Sequence, residues 1–129
     1  SAGGHLAILA GAKSGLLDLK PSLVLGLAAI TDVETYARGL NSCQESASEF
    51  MGGGPDELSD RYEEAQAVNY GVAPNTILLF GTKDQIVQSS QAILPGARSL
   101  RQEGAGHFDW IHPGTDAFSR ILAVLLSEF

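Results

Sequence analysis

Two uninterrupted apolar runs, Leu23-Val24-Leu25-Gly26-Leu27-Ala28-Ala29-Ile30 and Thr76-Ile77-Leu78-Leu79-Phe80-Gly81, constrain the fold of this chain more than any other feature. A strand with one solvated face alternates apolar and polar residues. These runs are apolar on both faces, as expected of strands buried between helix layers in a parallel sheet. A third and more polar segment, Arg98-Ser99-Leu100-Arg101-Gln102-Glu103, has the character of an edge strand. Helical stretches surround them. The first runs from Ala2 to about Ala12 and stops at Lys13-Ser14-Gly15; a second, through Val33, Tyr36 and Leu40, can be capped by Thr31-Asp32. Two short acidic amphipathic helices are expected between Asn41 and Tyr70, separated by Gly52-Gly53-Gly54-Pro55, and another short helix through Ser89, Ser90, Ala92 and Ile93. The last spans Asp116 to Phe129, with Phe118, Ile121, Leu122, Leu125 and Leu126 along one side. The pattern predicts a three-layer α/β fold around a short, mainly parallel sheet of about three strands.

Composition narrows the partners. The 129 residues have the length of one domain. A formal net charge of -7 with only eight Lys and Arg lacks the clustered cations that nucleic acid and anionic membranes demand, which leaves small neutral molecules. No apolar run approaches membrane-spanning length and no basic-then-apolar leader opens the chain, so a soluble protein is expected. Cys43 is the single cysteine; a small buried apolar role and a reducing, cytoplasmic setting are expected. The triple glycine lacks the Lys-Ser/Thr that completes a phosphate-binding loop. No H-x-x-x-H or C-x-x-C spacing is present, so neither a metal nor a cofactor is expected.

Three residues carry candidate chemistry. Ser1 opens Ser1-Ala2-Gly3-Gly4-His5, where Ser-x-Gly matches the second half of a nucleophile elbow, a tight turn that needs small neighbours. An ordinary helix N-cap is the alternative reading of that serine. Asp84 falls just past the second buried strand, where open α/β sheets gather their functional groups. His107 sits in the glycine-bounded loop Gly104-Ala105-Gly106-His107 after the third strand, 23 residues beyond Asp84. That interval holds a helix and a strand, so both groups can emerge at one sheet edge. A serine hydroxyl becomes a useful nucleophile only when imidazole takes its proton, and a carboxylate fixes the imidazole tautomer and stabilises the imidazolium. His5, one turn after Ser1, suits packing or hydrogen bonding beneath the elbow, and His112 borders the last helix. Asp109 is close to His107 in sequence and is a substitute acid at best, while Trp110, Phe108 and Phe50 are candidates for an acyl pocket or simply for core.

The segments SAGGHLA, LLFGTKDQIV and GAGHFDWIHP together resemble the carboxyl-terminal half of an α/β-hydrolase of the esterase and lipase group, over essentially the whole chain. The resemblance implies Ser1 as nucleophile, Asp84 as orienting acid, His107 as general base and the amide of Ala2 as an oxyanion donor. It implies hydrolysis of small carboxylic esters through an acyl-enzyme, without a cofactor, or an inactive remnant of such an enzyme. It also implies that residues 1–129 form a single hydrolase-like domain lacking its amino-terminal half, which in the family carries the strand before the serine and an H-G-G loop. Two other readings stand beside it. In one, Ser1 uses its own α-amine as base, as N-terminal nucleophile hydrolases do; in the other, the chain is a non-catalytic assembly module that pairs, with a second copy as a homo-oligomer or with the missing half, through an open edge of the strand at Leu23–Ile30.

Overall fold

The computed structural model describes residues 1–128, and Phe129, the expected end of the last helix, lies outside the described residues. Helix α1 (Ala2–Ala12) leads to strand β1 (Val24–Leu27). Three short helices come next, α2 (Val33–Ala37), α3 (Ser42–Met51) and α4 (Ser59–Ala65), before β2 (Thr76–Gly81), β3 (Arg98–Gln102) and α5 (Asp116–Glu128). The strands form one sheet in the order β1-β2-β3, and both pairings are parallel.

The apolar character of β1 and β2 on both faces has the cause that the sequence suggests. On one face Ile8 of α1 packs with Val24, Leu78, Ala73 and Leu94. On the other, Ile77 and Leu79 meet Trp110 and, from α5, Ala117 and Val124. Helix, sheet and helix thus form three layers. Helix α1 approaches β1 closely because glycines line the contact: a Cβ at Gly11 would lie 2.8 Å from Val24 Cγ2, and one at Gly26 2.8 Å from Ile8 Cδ1.

Strand β1 is half as long as its apolar run. Ala28 adopts a left-handed conformation (φ 44°), so the chain leaves the sheet there and Ala29 and Ile30 continue the core outside it. A non-glycine residue in this region costs about 1 kcal/mol or more. Ala28 remains tied to β2 by donating its N–H to the Leu79 carbonyl at 2.8 Å.

Beyond the carboxyl ends of the strands, α2, α3 and α4 form a third cluster around Ile30, Tyr36, Tyr62 and Val87. Asp32 caps α2 by accepting from Thr35 N, and Asn41 with Gln44 makes a capping box on α3.

Five expectations need correction. The helix expected through Val33, Tyr36 and Leu40 stops at Ala37, and Leu40 lies beyond it, exposed. Cys43 is exposed rather than buried, since α3 presents Ala47 and Met51 to the cluster instead. Phe50, on that helix's outer side, is 88% exposed and belongs to neither a pocket nor the core. The helix through Ser89 is a single 3-10 turn, Ser89–Ala92. On α5 the buried residues are Ala117 and Val124 with Ile121 beside them, while Leu122 and Leu126 face outward. No helix among the described residues is long and apolar enough to cross a membrane.

Candidate active site

Parallel β2 and β3 end side by side, with Gly81 opposite Gln102, so the loops beyond them leave from the same edge of the sheet. The first loop carries Asp84. One carboxylate oxygen, Oδ1, accepts the N–H groups of Ile86 and Val87, both at 2.9 Å, which locks the side chain against its own loop. The other oxygen, Oδ2, lies 2.7 Å from Nδ1 of His107.

The second loop is held where that contact requires. Gly104 takes a positive φ of 76° and donates its N–H to Thr82 Oγ1 at 2.8 Å. The Ala105 carbonyl accepts from Lys83 N at 2.9 Å, and Gly106 N donates to Asp109 Oδ2. Asp109 therefore braces the histidine loop, and Asp84 is the carboxylate bonded to the ring. The His107 and Asp84 side chains are only 9% and 2% exposed. Because an ionised carboxylate only accepts, the Nδ1 proton points to Asp84 and Nε2 is left as an acceptor. The Phe108 ring meets the imidazole edge-on, with centroids 5.0 Å apart. Of the aromatic candidates, Phe108 is exposed beside His107 and Trp110 is buried beneath the sheet.

Ser1 immediately precedes α1, and its hydroxyl makes no capping hydrogen bond to that helix. None of the hydrogen bonds among the described residues runs from Ser1 Oγ to His107. Ala2, the first residue of α1, has an N–H without an intrahelical acceptor.

His5 is held one turn down α1 by a 2.9 Å contact from Nδ1 to the Ile30 carbonyl, so its Nδ1 carries the proton. Burial pushes its pKa down, and the bond to Ile30 opposes this. His112 borders α5 through its carbonyl, which accepts from Thr115 Oγ1.

A groove of about 830 Å³ opens along β2 and β3, with Phe80, Asp84, Gln88, Ile93 and Arg101 among its walls. It reaches Asp84 but neither His107 nor Ser1, so it lies beside the imidazole rather than over it.

One buried residue has no counterpart among the sequence-based candidates. Gln91, in the turn after the acid loop, is 5% exposed and its side chain bonds only to residues 59 or 60 positions earlier. A glutamine among serines after a strand gives no periodic signal, and its main-chain partners are invisible until the chain is folded.

Comparison with protein-family models and with curated proteins gives no match. Solved structures do match. Esterase B from Lactobacillus Rhamnosis (HN001) superposes on 99% of this chain with a TM-score of 0.68 and 16% identity, over 50% of its own length. A bifunctional GH43-CE from Bacteroides eggerthii matches over the same 99% with a TM-score of 0.68 and 19% identity, across 22% of that protein. The chain thus spans half the length of the esterase and about a fifth of the second protein, and it shares with both the α/β fold of the matched portion.

Proposed function

We propose that this chain is the carboxyl-terminal half of an α/β-hydrolase that cleaves small carboxylic esters through an acyl-enzyme. The observation that carries the proposal is the nearly buried pair of His107 Nδ1 and Asp84 Oδ2, 2.7 Å apart at the carboxyl edge of a parallel sheet. The fold shared with an esterase, over half of that esterase's length, supports it.

In this reading Nε2 of His107 removes the proton from Ser1 Oγ as the oxygen attacks the ester carbonyl. Asp84 keeps the Nδ1 proton in place and stabilises the imidazolium. The Ala2 N–H donates to the oxyanion, and the tetrahedral intermediate collapses as His107 returns the proton to the departing alkoxide, releasing the alcohol. Water, deprotonated by the same imidazole, then releases the acid and restores Ser1. A neutral acyl substrate suits the absence of clustered cations in an acidic chain.

The test is hydrolysis of p-nitrophenyl acetate and butyrate by the protein, beside Ser1→Ala and His107→Ala. Turnover lost in both variants with folding intact supports the reading. Turnover that persists without His107 removes it, and none in the parent removes the claim that this chain alone hydrolyses esters. Turnover that needs a free Ser1 α-amine instead would favour the terminal-amine mechanism.

The assembly reading draws on one observation: β1 pairs only with β2, so its outer edge is free among the described residues. It gains if the protein sediments as a dimer and no substitution in the serine, histidine and aspartate set alters its properties.

A further inference from the structure

The acid loop and the helix behind the serine are tied to the same short turn, Ile30–Asp32, although 50 or more residues separate the loop from that turn. The Ile30 carbonyl accepts from His5 of α1. Gln91 clamps the next two residues. Its Oε1 accepts the N–H of Thr31 at 2.9 Å and of Asp32 at 2.8 Å, and its Nε2 donates to the Asp32 carbonyl at 3.1 Å. Thr31 Oγ1 completes the clamp by donating to the Gln91 carbonyl. An amide alone offers an acceptor and a donor in this disposition, and the network fixes which end is which. Gln91 and Thr31 are both buried, so water does not replace these bonds.

The segment held this way is the one that forms Asp84's seat. Between Asp84 and Gln91 lie Ile86 and Val87, whose N–H groups bind Asp84 Oδ1. Tyr36 donates to the Ile86 carbonyl at 3.1 Å, and Val87 packs into the cluster with Ile30 and Tyr36. Without the Gln91 side chain the segment keeps two hydrogen-bonded tethers, Tyr36 to the Ile86 carbonyl and Thr31 Oγ1 to the residue-91 carbonyl, and loses its bonds to the main chain of Thr31 and Asp32.

We propose that Gln91 is a positioning residue for the catalytic set: it sets the acid loop, and hence the orientation of His107, relative to the helix that begins after Ser1. The inference rests on the hydrolase reading for its effect on turnover, but not for its effect on the loop.

The experiment uses Gln91→Leu, which removes every side-chain bond, and Gln91→Glu, which keeps the two acceptor contacts and loses the donor. Hydrogen–deuterium exchange of the backbone and ester hydrolysis are measured in parallel, with Asn69→Ala as a control that removes an exposed side-chain bond to the Glu63 carbonyl outside the cluster around Val87. Exchange at Ile86 and Val87 is expected to rise about tenfold or more in Gln91→Leu and less in Gln91→Glu, with Thr76–Leu79 unchanged. Turnover number is expected to fall about 10- to 100-fold with KM within about threefold, since a misplacement near 1 Å costs about that much. Asn69→Ala should leave both readouts at parent values. Unchanged exchange at Ile86 and Val87 in both Gln91 variants overturns the inference, whether or not the protein hydrolyses esters. So does parent turnover in both variants of an active protein. An inactive parent whose acid loop still loosens in Gln91→Leu sinks the claim that this chain alone hydrolyses esters and leaves the clamp standing. If Gln91→Leu fails to fold, Gln91→Glu carries the same comparison.

Discussion

Replacing Gly81 by alanine tests how tightly the acid and histidine loops are built against each other. A Cβ at Gly81 would lie 2.2 Å from the Ala105 carbonyl oxygen and 2.8 Å from its carbon, both backbone atoms. Cβ contacts below 3.0 Å are essentially never seen, so the Ala105 backbone has to retreat by roughly 1 Å, in the range where overpacking costs about 1–3 kcal/mol. Ala105 is buried among Trp110, Leu79 and Ala117, which leaves little room to give. Its carbonyl also accepts from Lys83 N, so the retreat strains the bond that joins the two loops. His107 is two residues further on, and a 2.7 Å contact stretched by about that much passes out of hydrogen-bond range. Under the proposed mechanism the turnover number should fall about 100-fold, or about 2.7 kcal/mol of transition-state stabilisation. The midpoint of thermal unfolding should drop by about 3–5 °C per kcal/mol lost, for a domain of this size. Steady-state hydrolysis of p-nitrophenyl acetate and a thermal scan measure the two effects. A variant with parent turnover and an unchanged midpoint would refute the claim that this contact seats the histidine.

The same geometry leads to three further outcomes. Asp84→Asn should lower turnover about 10⁴-fold, because an amide directed at Nδ1 favours the ring tautomer that cannot take the serine proton; kinetics on the folded variant check it. His5 is partly buried with its pKa below the ordinary value near 6.5, so the unfolded chain binds more protons just below that pH and stability declines as pH falls through 6.5 toward the folded pKa. Urea unfolding from pH 7.5 to 5 should show a shallower decline in His5→Gln than in the parent. Tyr62 is fully buried and donates to the Gly53 carbonyl at 2.9 Å, so Tyr62→Phe should cost about 0.5–1.5 kcal/mol, read from the urea midpoint.

The parts legible in the sequence are those with a local or periodic cause. Ala2–Ala12 is read as a helix and folds as one, and the runs around Val24–Leu27 and Thr76–Gly81 are strands because their two faces meet two different helices. Asp84 and His107 stand out because each lies just past a strand, and two parallel neighbouring strands deliver their next loops to one edge. Long-range packing explains the features that the sequence does not display. The apolar residues of α5 extend well around the helix, so spacing alone does not say that Ala117 and Val124 face the sheet while Leu126 stays 83% exposed. The end of β1 is equally hidden, since Ala28 turns out of the sheet inside an unbroken apolar run. Gln91 is silent for the same reason: its partners lie at Thr31 and Asp32, far along the chain.

The most direct test is covalent. Treating the protein with a fluorophosphonate and locating the adduct by peptide mass spectrometry should give one phosphonylated residue, Ser1, with labelling at least about 100-fold slower in His107→Ala. An adduct on any other residue, no adduct at all, or a labelling rate indifferent to His107 would contradict a serine activated by the imidazole that Asp84 holds.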